Sequence, residues 1–571
     1  MIEDVYEPLA RYRDEFKDKF ARLAREKFQA LTEASAVDVA DNRRGVARIR
    51  ELQRQAARAH AMAAVFCGLA FLGLLLALGC WGVPHFLPEE AARLPREGWW
   101  LVIAAGAVVV VVSIVLAVKK FGRGAVLGQK AEEQKRLAWA QMQPLNALYT
   151  WDITPKLIEA TVPRLAFDPY FTVTRLEELH RRYGWSDDFN AGKSIIFAQS
   201  GTINGNAFVF GQYREMKWGM ETYHGGLEIS WTEMARDDDG KLRRVRHTET
   251  LTAEVEKPIP TYPEHKVLIY GNEAAPNLTF SREPSGLVVN GGLGNAVKKW
   301  WRLRKLKKFS RILDDDSNFT LMTNHEFETW FHAKDRNDEV EFRVLFTPVA
   351  QQQELALMQD QSVGYGDDFF FRKQNCINML RSRHLDEATI DTNPERFHNY
   401  SYDDAFANFV AFNERYFKDA YFALAPLLAI PLYQQIRAQE DIWKGILPPR
   451  SPSFWEHETI ANFHGEDKFQ HPDCITHSIL KTNVVTRDNG ESVVAVTAHG
   501  YRGVARTDYV KVHGGDGRWH DVPVHWTEYL PVEHAGNMIL AEDTRADDAT
   551  PNPSEDGDSV VRRSIRSRLQ I

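Results

Sequence analysis

The sequence predicts an α+β protein. An N-terminal helical arm leads into a two-helix transmembrane hairpin, followed by a large cytosolic mixed α/β domain with a β-rich C-terminal unit. Three observations predict it. Two uncharged apolar stretches, at residues 61–81 and 99–118, lie in the first quarter of the 571 residues. Short strand-like runs separated by glycines and charged turns fill residues 189–289. Helical periodicity returns at 402–417, before a second strand-rich stretch after residue 451.

The arm, residues 1–60, carries Leu9, Tyr12, Phe16, Phe20, Leu23 and Leu31 at three- and four-residue steps between charges. Asp41 or Asn42 is expected to cap a second helical segment that runs on towards the membrane. The pattern favours a packing stalk over an oligomerising coil, because few heptads are clean. The first residues are charged throughout and do not read as a signal peptide.

The apolar stretches are each about 20 residues long. At about 1.5 Å per residue, that length crosses a hydrocarbon core of roughly 30 Å. Arg43, Arg44, Arg48, Arg50, Arg54 and Arg58 precede the first stretch, and Lys119, Lys120, Arg123, Lys130, Lys135 and Arg136 follow the second. The intervening loop has only Arg93 and Arg96, offset by Glu89, Glu90 and Glu97. The positive-inside rule then places both termini in the cytoplasm of a multi-pass inner-membrane protein. Trp81, Trp99 and Trp100 suit the outer interface.

Residues 119–188 read as a helical connector, interrupted by Pro155, Pro163 and Pro169. Residues 189–450 form the expected cytosolic α+β domain. Within it, Val340, Phe342, Val344 and Phe346 alternate with Glu341 and Arg343, which predicts a strand over 339–346. The apolar stretch 420–436 carries Pro426 and Pro431 and is too short for a span, so it reads as a buried or broken helix, with a membrane-dipping segment as the other option. Residues 451–540 form a β-rich, histidine-rich unit, and residues 541–571 are expected to be a disordered tail.

Composition excludes some functions. Lys+Arg total 70 against 78 Asp+Glu, and the net charge of -8 gives no global reason to expect nucleic acid. Four cysteines at wide spacing make no disulfide framework and fit a reducing compartment.

Individual motifs are weak. Gly192-Lys193-Ser194 ends like a phosphate loop, but Asp187 stands where the loop needs its first glycine. Asn290 to Asn295 is glycine-rich and reads as a loop. Lys298 to Arg311 combines cations with Trp300 and Trp301. Its plainer reading is a solvated linker with anchoring aromatics, and its functional reading is contact with an anionic membrane surface. His325-Glu326 opens like a zinc-protease helix, but Thr329 replaces the second histidine. His471, Cys474 and His477 offer zinc-type ligands at three-residue spacing, with His457 or His464 as a possible fourth, but match no established zinc pattern.

Residues 324–358 resemble a bacterial family known only as a domain of unknown function, whose members carry two N-terminal spans and a large cytosolic α+β domain. The matching residues are Glu326, Phe327, Glu328 and Phe331, then Asp335, Glu339, Arg343 and Thr347-Pro348, then the helix ending near Met358. A looser likeness covers Ser194 to Glu233. Met322-Thr323 departs from the Leu-Glu usual before the motif. The resemblance implies no catalytic residues, and it implies an envelope partner of LemA type. Read by residue type alone, the segment is strand, turn, strand and helix, with Phe327, Phe331, Phe342 and Phe346 as core.

The expected function is a non-enzymatic scaffold or sensor that holds a protein partner at the lipid bilayer, with a homo-oligomer possible. No catalytic, cofactor or metal residue is assigned. The alternative is a membrane-tethered metal-dependent hydrolase or ligand-binding domain using His471, Cys474 and His477.

Overall fold

The computed structural model describes residues 7–86, 96–236, 242–287, 298, 300–302, 304–305, 320–436, 451–488, 490–542, 559–563 and 565–570. The expected interhelical cations and acids at 89–93, the 290–295 loop and residues 306–311 of the basic stretch lie outside them. Both helices and sheets are present. The chain divides into two compact units: Met1–Leu23 with Trp151–Thr392 and Asn413–Ile571, and Ala24–Thr150 with Asn393–Phe412.

The chain begins with α1 (Pro8–Arg11), a π-helical turn (Tyr12–Phe16) and α2 (Lys17–Ser35), then α3 (Val39–Phe86) and α4 (Arg96–Asn146). The cap of α3 is Asp38, whose carboxylate accepts the Asp41 N–H at 2.9 Å, rather than Asp41 or Asn42. Asn42 is instead buried, donating to the Tyr400 carbonyl at 3.0 Å and accepting from the Tyr402 N–H. The predicted spans are inner portions of two much longer helices.

In the second unit α3 and α4 run antiparallel. Asn42 meets Gln141, His60 meets Phe121, and Gly73 meets Val110, so the paired positions advance in opposite directions. A Cβ at Gly124 would lie 2.8 Å from the His60 ring, so glycine lets that ring pass between the helices. Arg43 and Arg50 pair with Asp403 and Asp404 at 2.8 and 3.0 Å.

The first unit continues with α5 (Ile153–Thr161), β1 (Leu165–Phe167), α6 (Val173–Tyr183), β2 (Lys193–Ile203), β3 (Asn206–Glu215), β4 (Lys217–Arg236), β5 (Leu242–Thr261), β6 (Glu264–Gly271) and β7 (Thr279–Arg282). The expected helical connector therefore contains a strand. α6 is bounded by the Thr172 hydroxyl, which accepts the Arg175 N–H, and by Gly184 in the left-handed region at φ 74°.

Next come α7 (His325–Phe331), α8 (Glu339–Leu345), α9 (Pro348–Gln359), β8 (Phe369–Gln374), β9 (Ile377–Ser382), α10 (Arg383–Glu387), α11 (Tyr402–Leu428) and α12 (Pro431–Gln435). The strand predicted over 339–346 is a helix. Asp338 caps it by accepting the Glu341 N–H, and the buried positions Glu339, Phe342, Leu345 and Phe346 fall at helical steps. Val340 and Val344, which completed the apparent alternation, are 72% and 53% exposed. Phe327, Phe331, Phe342 and Phe346 do form core. α11 passes through Pro426, and residues 420–430 are buried.

The chain then forms α13 (Phe454–His464), β10 (Ile479–Asp488), β11 (Glu491–His513), β12 (Trp519–Glu542), β13 (Ser559–Arg562) and β14 (Ile565–Gln570). The last two strands correct the expectation of a disordered tail over 541–571; residues 543–558 lie outside the described residues.

One antiparallel sheet has the order β1-β2-β3-β6-β9-β8-β7, and another the order β10-β11-β12-β14-β13. α13 serves both cores. Trp455 packs with Phe171, Tyr183, Ile195 and Val209, while Ile460 and Ala461 pack with Leu480, Val494 and Val496.

Two ribbons leave these sheets. The β3–β6 pairing continues in unbroken register into β4 and β5, from Arg214↔Glu264 to Lys217↔Thr261 and on to Arg236↔Leu242. At about 3.3 Å per residue, its 20-residue strands reach roughly 65 Å. β11 and β12 likewise continue beyond the stretches where β10 and β14 flank them. The ribbons pack face to face through Leu251, Ala253, Val522 and Val524, with Leu227, Ile229, Val510 and Val512 against them. Together they form a two-layer arm.

Candidate functional site

The predicted motifs do not assemble a reactive centre. Lys193 donates to the Phe189 carbonyl at 2.6 Å and lies 4.0 Å from the Phe189 ring centre, while Ser194 is fully buried and accepts from Asn462. Neither presents itself to a phosphate. His325 Nδ1 lies 3.1 Å from the Met322 carbonyl, and Glu326 accepts from Gln359.

His471, Cys474 and His477 lie on a turn that covers the base of β11. Ile475 N–H donates to the Tyr501 carbonyl and the Tyr501 N–H donates to Thr476 Oγ1. A Cβ at Gly500 would sit 2.5 Å from Cys474 Sγ, so the glycine makes room for the thiol. His471 Nδ1 accepts the Asp473 N–H, and His477 Nδ1 pairs with Glu466 Oε1 at 2.5 Å. Among the described residues no group of three or more His, Cys, Asp and Glu side chains is placed to hold a metal ion. The other suggested ligands are separate: His457 is buried, and His464 Nε2 lies 2.5 Å from Ser567 Oγ.

A cluster of buried charge lies on α13, where sequence reasoning singled out only His457. On α13, Glu456, His457 and Glu458 are all buried. Glu456 pairs with Arg562 of β13 and accepts the Phe171 N–H at 3.4 Å. Glu458 accepts from Ile195 N–H and Asn190 at 2.9 Å and from Lys481 at 3.1 Å, which ties α13 to β2 and β10. Burial pushes the Glu458 carboxyl up to about 7 against the pull of Lys481, and burial holds Lys481 below its usual value. Among the described residues His457 has no hydrogen-bond partner on either nitrogen, and burial brings it down to about 4. Burial likewise raises Glu354, whose two oxygens are unpartnered beside the buried Arg282–Asp367 pair. The consecutive Trp455-Glu456-His457-Glu458 run behind Ser453 was the available signal for α13. Arg562 gave none, because its partner is 106 residues away.

These clusters brace the fold. Two shallow hollows have volumes of about 210 and 240 Å³, below the roughly 300–1,000 Å³ usual for small-molecule sites. One is edged by Arg43, Arg50 and Asp403, the other by Arg11, Glu15 and Lys19.

The outward surfaces are more distinctive. α3 and α4 contain stretches long and apolar enough to cross a membrane, with only 17% and 11% of their most apolar windows buried. Val65, Leu69, Phe71, Leu72, Val108, Val111, Val112 and Val115 are exposed, whereas a soluble core helix would cover them. The arm is the second surface. Among the described residues β4 and β5 pair only with each other, so both outer edges of their ribbon lack a described neighbouring strand. Trp300 and Trp301 form a third, described below.

Comparison with known proteins finds no matching family model, curated relative or solved structure.

Proposed function

We propose that this chain is a non-enzymatic scaffold or sensor of the bacterial inner membrane, anchored by α3 and α4, with both termini cytoplasmic and a protein partner held by its soluble portion. One observation carries the reading: the apolar side chains of two long antiparallel helices face outward, where lipid would satisfy them. The flanking arginines and lysines support the orientation by the positive-inside rule. The likeness at 324–358 to the two-span family belongs to the same proposal, and an envelope protein of LemA type is the partner it favours.

The arm is the surface offered to that partner. A two-stranded ribbon has edge amides and carbonyls that an extended segment of another protein can pair with. Pro258 and Pro260 remove donors near the base of β5, which leaves its stretch 242–256 for pairing.

The test is crosslinking in native membranes with a photoreactive residue at Thr250, followed by recovery of the adducts. One reproducible envelope protein is expected. Self-crosslinks alone would replace the partner with a second copy of this chain. Protease added outside intact cells should spare the soluble portion, and its digestion there would overturn the orientation.

A further inference from the structure

The Trp300–Trp301 surface combines three features. First, both indoles are exposed, at 53% and 61%, although adjacent residues of a folded segment ordinarily cover at least one. Their ring centres are 5.5 Å apart in an edge-on arrangement, and the Arg304 guanidinium lies 5.1 Å from the Trp300 ring centre. Second, the segment is fixed to the fold, because Arg302 Nη2 donates to the Ser285 carbonyl at 2.5 Å.

Third, among the described residues the charges acting on it are all positive. The charges acting on half-buried Lys334 are Lys305 and Arg302, and those acting on His332 are Lys334, Arg302, Lys305 and Arg282. No carboxylate is among them. The acid next to Lys334 in sequence, Asp335, is turned to Ser281, accepting its N–H at 2.9 Å and its hydroxyl at 2.5 Å. Among the described residues Arg302 Nη1 and His332 Nδ1 are buried polar atoms with no hydrogen-bond partner.

We infer that the surface formed by Trp300, Trp301, Arg302, Arg304, Lys305 and Lys334 docks on an anionic lipid bilayer. Indoles favour the headgroup zone, where an apolar ring and a polar N–H are both accommodated, and cations are drawn to acidic headgroups. The inference rests on the membrane anchoring proposed above, which keeps a lipid surface at high effective concentration around the tethered domain. A nucleic acid would also accept cations and stacked rings, but no membrane-spanning helix would accompany that role.

The experiment uses the full chain reconstituted into vesicles of phosphatidylcholine alone or with phosphatidylglycerol, each also prepared with brominated acyl chains that quench tryptophan on contact. The fluorescence of W300F/W301F subtracted from that of the native chain isolates the two indoles. Quenching of this difference by brominated phosphatidylglycerol vesicles is expected, with loss of quenching in phosphatidylcholine alone and at high salt. Each of K298Q, R304Q and K305Q should weaken the contact about fivefold. A difference signal untouched by brominated lipid would overturn the inference. Equal protection of the indoles by inorganic phosphate or by RNA, without lipid quenching, would overturn it in favour of a soluble anion. Failure of the native chain to enter vesicles at all would strike the anchoring instead, so the two readings fail separately.

Discussion

Arg336 presents both outer guanidinium nitrogens to the Glu328 carboxylate, at 2.8 and 3.2 Å, and neither side chain reaches solvent. The remaining nitrogen, Nε, lies 2.5 Å from Glu339 Oε1. Glu328 also accepts the Met322 N–H and Glu339 the Thr320 N–H, so two acids and one cation close the turn between α7 and α8. Two of the residues that carry the family resemblance, Glu328 and Glu339, thus have structural duties.

Removing the cation should therefore be costly. Arg336→Met leaves Glu328 buried without a cation and Glu339 with only Arg343, at 3.4 Å, and is expected to destabilise the first unit by about 3–5 kcal/mol. Arg336→Met with Glu328→Leu should recover part of the loss. Urea titration of the detergent-solubilised chain measures both, and an Arg336→Met midpoint equal to that of the native chain would show the pair to be dispensable.

The α13 acid and imidazole predict opposing pH trends. His457 lies at about 4 when folded, below its unfolded value of 6.5, because burial disfavours the cation. Its contribution to stability is full above about 6.5 and is lost as pH falls towards 4, for about 3 kcal/mol in all. Glu458 lies at about 7, above its unfolded 4.5, so its contribution is full at low pH and is lost as pH rises from about 4.5 to 7. The two nearly cancel between these limits. His457→Leu removes one of them, and it also removes two unpartnered nitrogens, worth about 1–3 kcal/mol. The variant should be more stable than the native chain at pH 5 and should lose stability steadily towards pH 7. A native-like pH profile would count against this account.

The ribbons approach each other closely at Gly225. A Cβ at Gly225 would meet the Pro523 carbonyl oxygen at 2.1 Å, whereas at Gly226 the nearest atom is 3.8 Å away. Gly225→Val should part the ribbons at a cost of about 1–3 kcal/mol, and Gly226→Val should not. Limited proteolysis reads the difference as faster cleavage within 217–261 in the first variant, with the two sheet cores equally resistant in both.

The lipid-facing reading makes Leu72 and Val126 differ. Both are exposed apolar residues, but Val126 follows the basic cluster that begins at Lys119. Leu72→Arg should weaken insertion by about 2.5–3.5 kcal/mol and release protein on alkaline extraction of membranes. Val126→Arg should remain in the membrane fraction. Equal release of both variants, or of neither, would argue against a span at Leu72.

Legibility in the sequence followed the range of the interactions. The apolar stretches of α3 and α4 announce themselves, because composition over about 20 residues suffices. The phenylalanines of 327–346 were legible as core but not as helix, since Phe342 and Phe346 satisfy both a two-residue and a four-residue period. Only the Asp338 cap and the exposure of Val340 and Val344 decide between them. The arm was harder to read, because its outer faces carry Thr250, Thr252 and Glu254 and its inner face is interrupted by Gly225. Arg562 and Arg563 read as part of a basic tail, and nothing local marks Glu456 or the Ala198 carbonyl as their partners.

That last pairing sets a timetable for synthesis. Arg563 donates to a carbonyl 365 residues earlier in the chain. At about 5–20 residues per second, roughly 20–70 s separate emergence of the two partners. Through that interval β2 is already made and the five-stranded sheet lacks β13 and β14; Glu456, made 106 residues before Arg562, waits for its counter-ion only in the last part. The apolar helices have long since left the ribosome. Under the proposed anchoring, insertion of α3 and α4 would precede completion of the first unit, whose half-built sheet waits for its final strands.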